Sequence, residues 1–285
     1  MKKLAFLIFS AFMLLGNQSS GHNISKADTG ERTYILSRGP QTSAVSLTRQ
    51  WLPFLKRIKD DTGIQIKLKV YTSCEQFEGD LFGAHPDFAF TNPYFAMLVK
   101  EKHGYIPLVR DDSRLLRGVF VVRKDSNINS LQDLNGKIIA FPYPNSMTAS
   151  LYPRAILHEK FLLEFRPIYV GTHENVYRAV TIGKAIAGVG MMQTLSSEPE
   201  ELREQLKILY TTPGVRPHPL IVHPRVNQKV QEKVTQAILN MAHDKQGQRL
   251  LKAVKLTVPV IVDSNRDYNN INKLGLEKYL KHWDQ

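Results

Sequence analysis

Ser146 and Thr148 flank Met147 at the start of an apolar helical pattern, and these two hydroxyls are the side chains in this sequence best spaced to hold a ligand. They belong to Phe141-Pro142-Tyr143-Pro144-Asn145-Ser146-Met147-Thr148-Ala149-Ser150. This stretch joins the strand-like Lys137-Ile138-Ile139-Ala140-Phe141 to a helix carrying Leu151, Ala155, Ile156, Phe161 and Leu162. Pro142 and Pro144 keep the junction non-helical, and Asn145 or Ser146 falls at the N-cap. A helix start offers unpaired N–H groups and the positive end of the helix dipole, so with two hydroxyls beside it a small anion fits there. An ordinary cap without a ligand accounts for the same residues.

Catalysis would need a nucleophile with a base, or a metal cluster. The nine histidines show no metal-helix spacing; His218 and His223, five apart, are a weak hint of a site. No Gly-x-Ser-x-Gly elbow, dinucleotide fingerprint or phosphate-binding Lys loop occurs. Cys74 is the only cysteine, which excludes an internal disulfide and reads as a small packed residue. The chain is therefore expected to be a binder without a cofactor or metal, not an enzyme.

Residues 1–21 read as a secretory signal: Lys2 and Lys3, the apolar run Leu4 to Leu15, then Ser19 and Gly21 before His22. The run is short of the roughly 20 apolar residues that span a bilayer. With a hydrophobic fraction of 42%, the remainder is long enough for two ordinary cores. The formal charge of +12 favours acidic partners. Because the basic residues are scattered and export is expected, a small anion is preferred over nucleic acid.

Strand and helix patterns alternate along the chain. Strands are expected at Thr33–Ser37, Ile64–Tyr71 and Asp87–Phe90, with helices at Leu47–Ile58, Glu75–Leu81 and, after Thr91-Asn92-Pro93, Tyr94–Lys102. Leu115–Val122 is the most β-prone run and reads as a crossing into a second unit. That unit alternates again through Thr148–Lys160, Ile168–Val170, Glu174–Ile182, Ala185–Gly190, a helix near Glu198–Leu206 and Lys207–Tyr210. The Pro/Gly-rich Thr211–Pro219 reads as the return. Strand Leu220–His223 and helices Val226–Met241, Gly247–Val254 and Lys273–Trp283 close the chain. This predicts an α/β protein of two lobes, residues 22–116 with 217–285 and residues 117–216, each a mostly parallel sheet flanked by helices, joined by two hinge strands around a cleft.

From about Tyr34 to Pro219 the sequence resembles the substrate-binding proteins of phosphate, phosphite and phosphonate ABC transporters, which have the type II periplasmic-binding-protein fold. The markers, in order, are Asp87-Phe88-Ala89-Phe90, Val121-Val122-Arg123-Lys124-Asp125-Ser126, Asp133-Leu134-Asn135-Gly136-Lys137, Pro144-Asn145-Ser146-Met147-Thr148-Ala149, Tyr152-Pro153 and Gly171-Thr172-His173-Glu174. The family's Ser-Thr-Ser-Gly loop, which holds phosphonate oxygens, matches Ser146, Met147, Thr148 and Ala149, so one side-chain donor is lost at Met147. Its oxyanion-facing histidine matches His173, although Thr172 or His173 as a plain helix cap reads equally well. A first-lobe tyrosine falls near Phe77, which lacks a hydroxyl; Tyr71 or Tyr94 are possible substitutes. The crossing-strand tyrosine falls near Leu116, beside Arg117, which is either an oxyanion contact or a solvated hinge residue. An acidic pair that receives a ligand ammonium falls near Gln193 and His218, neither acidic, which disfavours 2-aminoethylphosphonate.

The resemblance implies a periplasmic, monomeric protein that captures a small oxyanion and delivers it to an inner-membrane ABC transporter. The ligand docks on Ser146 to Thr148, and the first lobe closes over it through Thr91-Asn92 and the loop Gln41 to Ser46. Two other readings use the same cleft. One is a sensor module signalling to a membrane histidine kinase; the other is a binder of an organic ligand stacked on Phe90, Tyr94, Phe77 or Tyr143.

Overall fold

In the computed structural model, residues 32–40 and 43–281 are described; the expected signal segment and cleavage position fall outside them, as do Gln41 and Thr42. Polar caps set where each early helix begins. Strand β1 (Tyr34–Arg38) leads to α1 (Ala44–Thr62), capped by the Ser43 hydroxyl, which accepts from Ser46 N, and closed by Gly63 at φ 75. Then follow β2 (Ile66–Val70), α2 (Cys74–Phe82), β3 (Phe88–Phe90) and α3 (Pro93–His103). In α3, Pro93 occupies the first turn and Asn92 caps it. Strand β4 (Ile106–Asp111) completes the first alternation.

The second series runs β5 (Gly118–Arg123), β6 (Ile138–Phe141), α4 (Tyr152–Ala155), β7 (Arg166–Tyr169), α5 (His173–Thr181), β8 (Ala187–Met191), α6 (Met192–Ser197), α7 (Glu200–Arg203) and β9 (Leu206–Thr211). Two wider, π-type turns, Met147–Leu151 and Ile156–Lys160, extend α4 at either end into one continuous helical run. The chain closes with β10 (Leu220–Val222), α8 (Gln228–Asn240), α9 (Lys245–Ala253), β11 (Pro259–Ile261) and α10 (Ser264–Tyr268).

These strands build two sheets, ordered β11-β4-β10-β3-β1-β2 and β7-β6-β8-β5-β9. Both are mixed rather than mostly parallel. β1 pairs in parallel with β2 and β3, and β6 with β7 and β8. β10 runs antiparallel to β3 and β4, and β5 antiparallel to β8 and β9. β5 and β10 are the strands that arrive from the other sheet, without a crossover helix to turn them round, so they enter pointing the opposite way. The two connecting segments bond to each other: Leu116 N donates to Val215 O at 2.8 Å and Val215 N to Leu116 O at 3.0 Å.

Each sheet is covered on both faces. The first packs Leu36, Phe88 and Val222 against Trp51, Phe54, Ile238 and Leu251; its other face carries Phe95 and Tyr268. The second has Val119, Val176 and Tyr177 on one side and Phe120, Phe141 and Leu157 on the other. Met147, Leu151 and Ile156 leave the second sheet's helical run to join the cluster of Phe77, Tyr94 and Ile271, so apolar packing continues from one half to the other. Full burial of a side chain of this size contributes about 1.5–3 kcal/mol.

Three expectations differ. The carboxyl-terminal helix from Lys273 is two short turns, Asn272–Leu274 and Leu276–Tyr279, because Gly275 sits at φ 61 between them; Trp283 lies outside the described residues. The helix read near Glu198–Leu206 is only the single turn α7, since Pro199 precedes it and β9 begins at Leu206, and α6 just before it was not expected. β4 and β11 escaped notice because Pro107 and Pro259 argue against strands. In β4, Pro107 faces Ile221 of β10, while the contact with β11 begins only at Val109.

Candidate functional site

The loop after β6 is pinned by its own side chains. Asn145 Nδ2 donates to Glu78 Oε2 at 2.6 Å and to Lys281 O at 2.8 Å, and its Oδ1 accepts from Lys281 N at 2.8 Å. Ser146, not Asn145, is the N-cap; its carbonyl accepts from both Ser150 N at 2.8 Å and Leu151 N at 2.9 Å. Its hydroxyl makes no cap bond and instead meets the phenol of Tyr143. The helix start is seated against β5: a Cβ on Gly118 would lie 2.3 Å from Thr148 O, so only glycine permits this approach.

α5 is held by a similar device. A Cβ on Gly190 would lie 2.3 Å from the Tyr177 hydroxyl, which donates to Met191 O at 2.7 Å. The Thr172 hydroxyl caps α5 by accepting from Asn175 N at 3.2 Å, so the capping role falls to Thr172 and the ring of His173 stays free of it. His173 Nδ1 is buried without a hydrogen-bond partner. Burial pulls the His173 pKa to about 4, so the imidazole is neutral at neutral pH.

Ser146, Met147, Thr148, His173, Asn92 and Gln193 line one cleft of ≈ 420 Å³ between the two sheets' halves. The Oε1 of Gln193 is buried there without a partner. Asn92 uses its Oδ1 to cap α3, accepting from Phe95 N at 2.9 Å. Thr91 and Phe77 line a recess of ≈ 20 Å³ that shares Phe90, Asn92, Tyr143 and His218 with the cleft. The Thr91 hydroxyl is buried there with no partner.

Arg117 is not brought to this cleft: it is exposed, and its Nη1 donates to Thr212 O at 3.2 Å along the connecting segments. Tyr71, a suggested substitute for the missing phenol, is occupied by Ser37 Oγ at 2.6 Å and Asp80 Oδ2 at 2.7 Å. The phenol at the site is Tyr143, which sequence reading treated only as a ring for stacking.

The charged lining was missed. Arg114, Lys252 and Lys255 stand in the cleft with Glu174 as the sole carboxylate among its lining residues. Arg38, at the end of β1, lines the recess, with Nη1 donating to Gly39 O at 2.7 Å and its guanidinium 5.5 Å from the Phe90 ring centre. Burial lowers the Arg38 pKa to about 10, which leaves it charged. Lys255 is exposed by area yet stands inside the cleft, where surrounding protein, then Arg38 and Arg114, lower its pKa. Burial first, and then Arg38, Lys255 and Arg114, hold His218 well below the ordinary imidazole value; its ring stacks on Phe90 at 5.8 Å. Sequence offered no signal for these residues: they come from three distant segments and no motif joins them.

This arrangement of neutral donors and cations has the chemistry to suit an anion. Burial pushes the Cys74 thiol up to about 11, so it is not a nucleophile near neutral pH. Among the described residues no three His, Cys, Asp or Glu side chains gather as metal ligands. Also among them, no helix is long and apolar enough to cross a membrane.

Residues 38–268 match the family described as "ABC transporter, phosphonate, periplasmic substrate-binding protein". The chain belongs to this family, one of extracytoplasmic transport proteins and not of enzymes. It is 26% identical over 196 residues to the phosphate-import protein PhnD of Mycolicibacterium smegmatis, covering 61% of this chain and 61% of that relative. With the phosphonates-binding periplasmic protein of Escherichia coli the identity is 23%, over 98% of this chain and 86% of the relative. In fold the chain is similar to the structure of PhnD1 from Prochlorococcus marinus in complex with methylphosphonate. The TM-score is 0.74 at 17% identity, covering 87% of this chain and 98% of the other. The architecture is thus that of the type II periplasmic binding proteins.

Proposed function

We propose that this chain captures phosphate, phosphite or a phosphonate in the cleft and delivers it to an ABC transporter permease. The observation that carries the reading is the convergence of Ser146, Thr148, His173 and Gln193, all uncharged, with Arg114 and Lys255 around one cavity. Uncharged donors orient the phosphoryl oxygens, and the cations balance their charge. A single carboxylate among these cations leaves a ligand ammonium without a counter-charge, so 2-aminoethylphosphonate is disfavoured.

In this reading residues 22–116 with 217–285 form one lobe and residues 117–216 the other. They turn about the paired segments at Leu116 and Val215, with Thr91-Asn92 and the start of α1 at Ser43–Ser46 closing over the ligand. Binding shifts the open–closed balance only by the ligand's preference for the closed form. The mature chain starts after residue 21 and acts as a monomer, with a permease rather than a sensor kinase as its receiver; the family's transport description supports the permease. A thermal-shift screen of the mature protein against phosphate, phosphite, methylphosphonate, sulfate and organic acids tests the reading. Stabilisation by the phosphorus oxyanions is expected; stabilisation by organic acids alone would overturn it.

A further inference from the structure

We infer that the cleft takes an organic molecule bearing a phosphoryl head group and a second anionic group, in preference to a bare inorganic oxyanion. This rests on the reading that the head group docks at Ser146–Thr148. The first support is size. At ≈ 420 Å³ the cleft lies in the range of pockets that enclose whole organic ligands, about 300–1,000 Å³, so one tetrahedral ion would leave most of it to water.

The second support is how charge is distributed. The wall from the second sheet's half gives the head group the uncharged Ser146, Thr148, His173 and Gln193, together with Glu174. The wall from the first half gives Arg114 from the connecting segment, and Lys252 and Lys255 from α9 and just beyond it. Among the described residues neither lysine has a carboxylate within ion-pairing distance, whereas the Arg114 Nε lies 3.8 Å from Asp111 Oδ2, an ion pair without a hydrogen bond. Lys252 and Lys255 stand on the wall opposite the head group's donors, where a second anionic group would meet them. Lys255, at φ 64, is the left-handed residue that terminates α9, with Leu256 N donating to Leu251 O at 2.9 Å.

The third support is the apolar lining. Phe90, Leu116, Met191 and Pro217 are walls of the same cleft, and they gain nothing from a hydrated inorganic ion. A carbon body joining two anionic ends meets all three features.

Isothermal titration of the mature protein at low salt tests this with inorganic phosphate, methylphosphonate, phosphonoacetate, 3-phosphoglycerate and 2-aminoethylphosphonate. Phosphonoacetate or 3-phosphoglycerate is expected to bind about tenfold or more tightly than methylphosphonate, with 2-aminoethylphosphonate the weaker of the two phosphonates that lack a second anion. In Lys255→Met, or in Arg114→Met should the first variant not fold, the ratio of the doubly anionic probe to methylphosphonate is expected to fall to about threefold or less. Equal or tighter binding of methylphosphonate or phosphate by the unaltered protein overturns the inference and leaves the oxyanion reading standing. So does an undiminished ratio in the folded variants. Failure of phosphate and every phosphonate to bind overturns the oxyanion reading itself.

Discussion

One wall of the cleft presents Ser146, Thr148, His173 and Gln193; the other presents Arg114, Lys252 and Lys255. Apart from Glu174, the first wall is neutral and costs less to desolvate than charge, since hydroxyls, an amide and an imidazole carry only dipoles. It is also closely seated, by Gly118 under the helix start and by Gly190 under Tyr177 of α5, whose hydroxyl donates to Met191 O. The second wall carries formal charge, which costs more to enclose and is partly screened by salt. In the proposed function the neutral donors set where an oxyanion sits, while the cations set how much charge the cleft welcomes and how fast it arrives.

Removing the neutral wall should give the largest effect. Ser146→Ala combined with Thr148→Ala is expected to weaken oxyanion binding by roughly 2 to 5 kcal/mol, since a hydrogen bond to a charged group contributes about 1.5–3 kcal/mol. Unchanged calorimetric affinity would take that loop out of the site. Displacing the wall without changing its chemistry comes next. Gly118→Ala forces a methyl against Thr148 O and is expected to cost about 1–3 kcal/mol of stability, read by urea unfolding, with weaker binding besides.

Neutralising the charged wall is expected to do less to affinity at physiological salt. Lys255→Met should weaken phosphate binding by about 1 kcal/mol, the scale of a solvent-reached ion pair, and flatten its salt dependence. The neutral-wall double variant should keep the parent's salt dependence. Identical salt slopes in all three proteins would dissolve the distinction between the walls. A separate effect is on stability against pH. The His173 pKa is depressed from 6.5 to about 4, so the unfolded chain binds the proton first, and stability falls as pH drops through that window. His173→Gln should show a shallower fall in Tm between about pH 6.5 and 4 than the parent.

The neutral wall was legible because it is local. Pro142, Pro144 and Ser146 announce a strand-to-helix turn within a few residues, and Thr172 announces the next helix in the same way. The alternation of strands and helices was legible for the same reason, since period and caps are short-range signals. The charged wall was not, because Arg114, Lys252 and Lys255 meet only once a connecting segment and the end of α9 are folded onto one cavity. Nothing in a run such as Leu251-Lys252-Ala253-Val254-Lys255 separates a cleft lysine from a solvated one. Arg117 shows the converse: its position beside the crossing drew attention, but its side chain is turned along the connection to Thr212. The antiparallel entry of β5 and β10 likewise depends on long-range topology that periodicity does not carry.

A crystal structure of the mature chain with methylphosphonate tests most directly where the anion sits. The account predicts phosphonate oxygens within hydrogen-bond distance of Ser146, Thr148 and His173, with Lys255 and Arg114 facing the same cavity. A phosphonate bound away from the Ser146–Thr148 turn, or a cleft left empty at saturating ligand, would contradict it.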